Sequence, residues 1–147
     1  MCCAKVHSAN STLVNQPELP PRRFPAIMRR RAASFGYAFR GVAAALRSEI
    51  HLQFHAVATV VVIGLGFYFR LSWLEWALVA LAVGVVLGLE LMNTAVEAVV
   101  NLVSPEYHPL AGRAKDVAAG AVLVGAVAAL VVGLLIFGPR MWALFVA

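Results

Sequence analysis
The chain has 147 residues, which suits one domain, and a formal net charge of +5. Charged residues make up 13% and the mean hydropathy is +0.84, where a soluble domain carries about 25% charged residues. The excess Val, Ala and Leu comes in long runs, so a soluble core is excluded and an all-α integral membrane protein is expected.

Residues 1–28 are polar and punctuated by Pro17, Pro20, Pro21 and Pro25. They are expected to form a disordered or partly polyproline tail, with residues 29–147 as the membrane domain. A ligand for a proline-recognition domain is the alternative. The tail lacks the apolar core of a signal peptide. Cys2 and Cys3 are adjacent and suggest no disulfide framework; lipidation is an alternative to an incidental pair.

From Arg29 to His51 the spacing predicts an amphipathic surface helix. Phe35, Phe39, Val42 and Leu46 recur at three and four residues, while Arg40 and Arg47 lie elsewhere on the wheel. Glu49 falls near its end. The first span is expected over 52–71, with polar Gln53 and His55 at its start; these histidines, like His51, read as interfacial polar groups rather than metal ligands. Phe67, Tyr68, Phe69, Trp73 and Trp76 around Ser72 resemble an aromatic belt.

The second span is expected over 73–103. At 1.5 Å per residue it would be about 45 Å long, beyond a roughly 30 Å hydrocarbon layer, so its end must emerge at the interface. Residues 104–115, with Pro105 and Pro109, form the expected connection, and the third span is expected over 116–138. Gly125, Ala129 and Gly133, and Gly84 and Gly88, are spaced for close helix contact or recur by chance. Eight of the 12 Lys and Arg precede residue 56, and Arg113 and Lys115 lie in the second loop. The positive-inside rule therefore places the N terminus in the cytoplasm. The basic flank suits anionic lipid, and no nucleic-acid partner is expected.

Glu90-Leu-Met-Asn-Thr-Ala-Val-Glu97 interrupts the second span. At ~100° per residue, Glu90, Asn93, Glu97 and Asn101 share one face within about 80°. A carboxylate at membrane depth costs at least about 2.5 kcal/mol, so the stripe is a functional candidate, with an interhelical packing contact as the plainer reading. Glu49, Lys115 and Asp116 fall on the same side of the membrane. Oxygen ligands suit a hard divalent cation, a lysine suits phosphate, and a deeper carboxylate suits a membrane-held hydroxyl. No Walker loop or dinucleotide fingerprint occurs, and no zinc spacing stands out. From spacing alone a membrane phosphotransferase and an ion-coupled carrier compete closely, with a structural adaptor as a third class.

The Glu90–Glu97 motif with Ala98-Val-Val, and Glu106-Tyr-His-Pro-Leu-Ala-Gly-Arg-Ala-Lys115-Asp116, resemble the prokaryotic diacylglycerol kinase family, which includes the undecaprenol kinases. The resemblance covers residues 29–139 and implies a homotrimer of a surface helix and three spans in the bacterial inner membrane. It implies ATP and Mg²⁺, with sites between subunits, and phosphorylation of diacylglycerol to phosphatidic acid or, alternatively, of undecaprenol. By position it makes Glu90 the general base, assisted by Asn93. Glu49 and Glu97 would hold the metal, and also belong with Arg30, Tyr37, Glu106, Tyr107, His108, Lys115 and Asp116 in nucleotide binding. Plainer readings stay open: a solvated helix end for Glu49, headgroup binding for Arg30, an interfacial aromatic for Tyr37, a loop residue for His108, and anchors or an N-cap for Lys115 and Asp116. The chain departs from the family at Asn101, where many members have Asp, and at Ile50-His51-Leu52 after Glu49. The Glu106–Asp116 loop looks more like diacylglycerol kinases, and Phe137-Gly-Pro-Arg140 more like undecaprenol kinases.

Overall fold
The computed structural model describes residues 24–146, with side chains from residue 33. The expected tail, with Cys2 and Cys3, and the Arg30 side chain lie outside the described residues. Every regular element among them is an α-helix: α1 Phe24–Ser48, α2 Ile50–Tyr68, α3 Trp73–Val103 and α4 Pro109–Val146. The chain divides into two compact units after Tyr37. The N-terminal unit holds the first part of α1, and the contacts described below lie within the second. Three helices, α2 to α4, are long and apolar enough to cross a membrane. On α1 the residues Phe35, Phe39, Val42 and Leu46 are all exposed, as an amphipathic surface helix requires.

A single residue separates α1 from α2. Glu49 takes extended dihedrals (φ −102°, ψ 112°) and stands as the N-cap of α2, without a side-chain cap. The backbone bonds Glu49 N–H to Ala45 O and Gln53 N–H to Glu49 O run up to the break from both sides. The Gln53 amide closes it by donating to the Leu46 carbonyl at 3.0 Å, a C-terminal group that the helix itself leaves unpaired. The polar start of the first span is thus a helix-end seal.

At the other end of α2, Arg70 has φ 53°, Arg70 N–H bonds Phe67 O, and Leu71 N–H bonds Gly66 O. This is a Schellman ending. Ser72 then opens α3 with a capping box: its hydroxyl accepts from Glu75 N–H, and the Glu75 carboxylate accepts from Ser72 N–H at 2.9 Å. The turn is therefore only as long as two consecutive caps. Glu75 also pairs with Arg140 of α4 at 2.8 Å, and Arg140 donates to the Ile136 carbonyl. Between these ties lie buried Leu71, Val79, Ile136 and Phe137.

Gly66 is required at this end. A Cβ there would sit 2.6 Å from Trp76 Cη2 and 2.9 Å from Cζ2. The Trp76 ring is itself held against Phe67, with centroids 5.0 Å apart. Gly66→Ala is expected to cost about 1–3 kcal/mol by overpacking. A lower melting temperature of the purified chain in detergent checks this; an unchanged one would mean that Trp76 turns away freely.

The third apolar helix is longer than its hydropathy run. It begins at Pro109, not near residue 116, because proline at the first helical position loses no bond that the helix needs. His108 precedes it as a cap, its Nδ1 accepting from Leu110 N–H at 3.2 Å. At its C-terminal end α4 continues through Pro139 to Val146. The small-residue stripes divide. Gly125 is buried, and a Cβ there would sit 2.6 Å from Leu89 Cδ1 on α3. Gly84 and Gly88 are exposed, and a Cβ would meet nothing within 4 Å at either, or at Gly133.

Candidate active site
Glu90 is the only charged side chain buried among the described residues, at 5% exposure. It lies in the middle of α3, and its carboxylate Oε1 is 3.2 Å from Nε2 of His55 on α2. A buried carboxylate needs a donor, and the ring nitrogen of His55 on the neighbouring helix lies within reach of it. His55 also lines a pocket of about 280 Å³ between α2, α3 and α4, whose walls are otherwise almost wholly apolar, including Val79, Val86, Ala126 and Phe137. The residue beside the buried acid thus also faces an apolar pocket.

One turn on, Asn93 Nδ2 donates to Glu97 Oε1 at 2.8 Å. The opposite end of that amide, Asn93 Oδ1, is buried with no hydrogen-bonding partner. A buried acceptor left unpaired is costly, and beside a carboxylate it suits a donor or cation that arrives from outside the chain. Further along the face, Asn101 Oδ1 accepts from Lys115 Nζ of α4 at 2.7 Å. Asn101, the position that departs from the common Asp, therefore holds the lysine by a neutral acceptor. The Thr94 hydroxyl donates to the Glu90 carbonyl, which keeps it within the helix.

Two connected groups thus form within one chain, Glu90 with His55 and Asn93 with Glu97, and Lys115 joins the same helix face through Asn101. Glu49 stands at the α1–α2 break, where its Oε1 accepts from Ser48 Oγ at 3.1 Å. Among the described residues of the single chain, no three His, Cys, Asp or Glu side chains gather as a metal site. Asp116 is exposed beside Lys115, on the second turn of α4, so neither residue caps that helix. Glu106 and Tyr107 are exposed in the short α3–α4 connection, Tyr107 at 91%, with the Glu106 carbonyl taken by Ser104. His108 spends its Nδ1 on the α4 cap. Tyr37 is exposed on the N-terminal unit.

Sequence reasoning missed the His55–Glu90 contact. A signal existed: a polar residue in one span needs a polar partner in another, and His55 and Glu90 are the deepest ionisable groups in theirs.

A family model described as prokaryotic diacylglycerol kinase matches residues 36–137. The chain belongs to the prokaryotic diacylglycerol kinase family. It is therefore a membrane lipid kinase, and a nucleotide is its co-substrate. The undecaprenol kinase of Bacillus subtilis (strain 168) is 47% identical over 108 residues, 74% of this chain and 88% of that protein. The diacylglycerol kinase of Synechocystis sp. is 42% identical over 114 residues, 77% of this chain and 65% of that one. The diacylglycerol kinase of Escherichia coli (strain K12) is 32% identical over 96 residues, 65% of this chain and 79% of that one. The kinase shares its matched region with enzymes named for both lipids, and the buried Glu90 lies inside that region.

Proposed function
We propose that this kinase transfers the γ-phosphoryl group of ATP to the hydroxyl of undecaprenol at the cytoplasmic face of a bacterial inner membrane. The observation that carries the reading is the buried Glu90 carboxylate in a membrane lipid kinase, 3.2 Å from His55, which lines an apolar pocket. Glu90 takes the proton of the lipid hydroxyl as its oxygen bonds to the γ-phosphorus. The bond from that phosphorus to the β–γ bridging oxygen breaks, ADP leaves, and the proton passes from Glu90 to water. Asn93 steadies Glu97 beside the base. Lys115, released from Asn101, meets the phosphates as a point charge, and Asp116, Glu106, Tyr107 and His108 border the nucleotide.

Mg²⁺ fits the all-oxygen donor set and the unpaired Asn93 Oδ1. Glu97 and Glu49 would hold it, and because no three acidic or imidazole groups gather in one chain, phosphate oxygens and water would complete its shell. When bound, the ion supplies charge neutralisation of the triphosphate. The family resemblance supports an assembly of three copies with the sites between subunits. The basic N-terminal third supports a cytoplasmic N terminus.

Diacylglycerol is the second reading, favoured by the Glu106–Asp116 loop and by the names of two of the three relatives described above. The higher identity to an undecaprenol kinase, over more of that protein's length, supports the polyprenol. A competition assay decides between them. With equal mole fractions of the two alcohols in mixed micelles, kcat/KM should be at least about tenfold higher for undecaprenol, a difference of about 1.4 kcal/mol in transition-state binding. A ratio in the other direction would make diacylglycerol the substrate.

A further inference from the structure
We propose that His55 is a positioning residue for the base: its Nε2–H holds Oε1 of Glu90 and leaves Oε2 for the lipid hydroxyl. This rests on the reading of Glu90 as general base. The contact joins two spans, α2 and α3, across 3.2 Å, with the two side chains only 23% and 7% exposed. A carboxylate that serves as base accepts hydrogen bonds, so the proposal requires the ring nitrogen facing it to carry the hydrogen. The plane of the ring is further held by Phe54, whose centroid lies 5.9 Å away at 79°.

A carboxylate on a helix retains two free side-chain torsions beyond χ1, and catalysis by a base requires one oxygen within hydrogen-bond reach of the proton. Nothing on α3 itself restrains Glu90 in this way: the nearby Thr94 hydroxyl goes to the Glu90 carbonyl, and Asn93 turns to Glu97. Among the described residues the restraint comes from α2. His55 also lines the apolar pocket. His55 thus acts through Glu90, without handling the phosphates.

The test uses the purified full chain with His55→Ala and His55→Gln, assayed for kcat and for KM of lipid and ATP. His55→Ala should lower kcat about 10–100-fold, the range seen when an orienting partner is removed, with the KM for ATP unchanged. His55→Gln, whose amide can still donate to Oε1, should recover most of the loss. In a Glu90→Gln background, His55→Ala should add little further. A separate arm needs no turnover: the imidazole ¹⁵N shifts of His55 should change on Glu90→Gln. Wild-type kcat in His55→Ala, no recovery in His55→Gln, or unmoved ¹⁵N shifts would each overturn the proposal. Failure of the wild-type chain to phosphorylate any lipid would instead sink the kinase reading, with the ¹⁵N arm still deciding the contact.

Discussion

Glu90→Gln is expected to abolish most turnover and leave the fold intact. General-base catalysis contributes about 10²- to 10⁴-fold, so kcat should fall by that range while the KM values for ATP and lipid change little. The amide has the shape of the carboxylate and keeps an oxygen that His55 Nε2 can reach. Stability should move in the opposite direction. An acid at membrane depth costs at least about 2.5 kcal/mol on insertion scales, and an amide relieves part of that. The variant should therefore melt at or above the wild-type temperature. An interhelical packing contact predicts the converse: an intact turnover number and a lowered melting temperature. Measuring both on one preparation separates the two roles.

Lys115→Met should have the next largest effect. The ammonium lies on α4 but is held at 2.7 Å by Asn101 of α3, so it bridges the two helices. Preorganised donors aimed at developing phosphate charge are worth about 10²–10³ in kcat each. Methionine keeps the length of the stem and removes the charge. The expected outcome is a fall of that size in kcat together with a higher KM for ATP, and an unchanged KM for lipid. If Lys115 only anchors α4 at the interface, the variant would lose stability but keep its nucleotide kinetics. Asn101 is a neutral partner, so a move of the lysine to a triphosphate would break no ion pair.

Much of this architecture was legible in the residues. Three spans followed from the apolar runs, and the positions of Glu90, Asn93, Glu97 and Asn101 on one helix face followed from the helical repeat. The structure bears that face out through bonds at either end of it, Asn93 to Glu97 and Asn101 to Lys115. The start of α4 was harder to read, because Pro109 marks a loop when met in a sequence yet is compatible with a first helical turn. Its far end was obscured for a related reason: Pro139 and Arg140 end the hydropathy run, while the Glu75 carboxylate holds Arg140 and the helix continues. The partner of Glu90 could not be read from periodicity at all. Periodicity gives the azimuth of residues within one helix, and the His55 contact depends on how α2 turns against α3. That turn is set by the one-residue break at Glu49 and by the Trp76 ring over Gly66. Likewise, Gly84 and Gly88 matched a packing motif, yet α4 meets the side of α3 that carries Leu89.

The most direct test follows the phosphorus. The purified full chain is given γ-labelled ATP, Mg²⁺ and undecaprenol or diacylglycerol in mixed micelles, beside Glu90→Gln, and label is counted in the lipid and aqueous phases. The account predicts label in the lipid phase with the wild-type chain, none when the lipid hydroxyl is capped as a methyl ether, and a loss of at least about 10²-fold in the variant. Label that enters lipid as fast with Glu90→Gln as with wild type would contradict it.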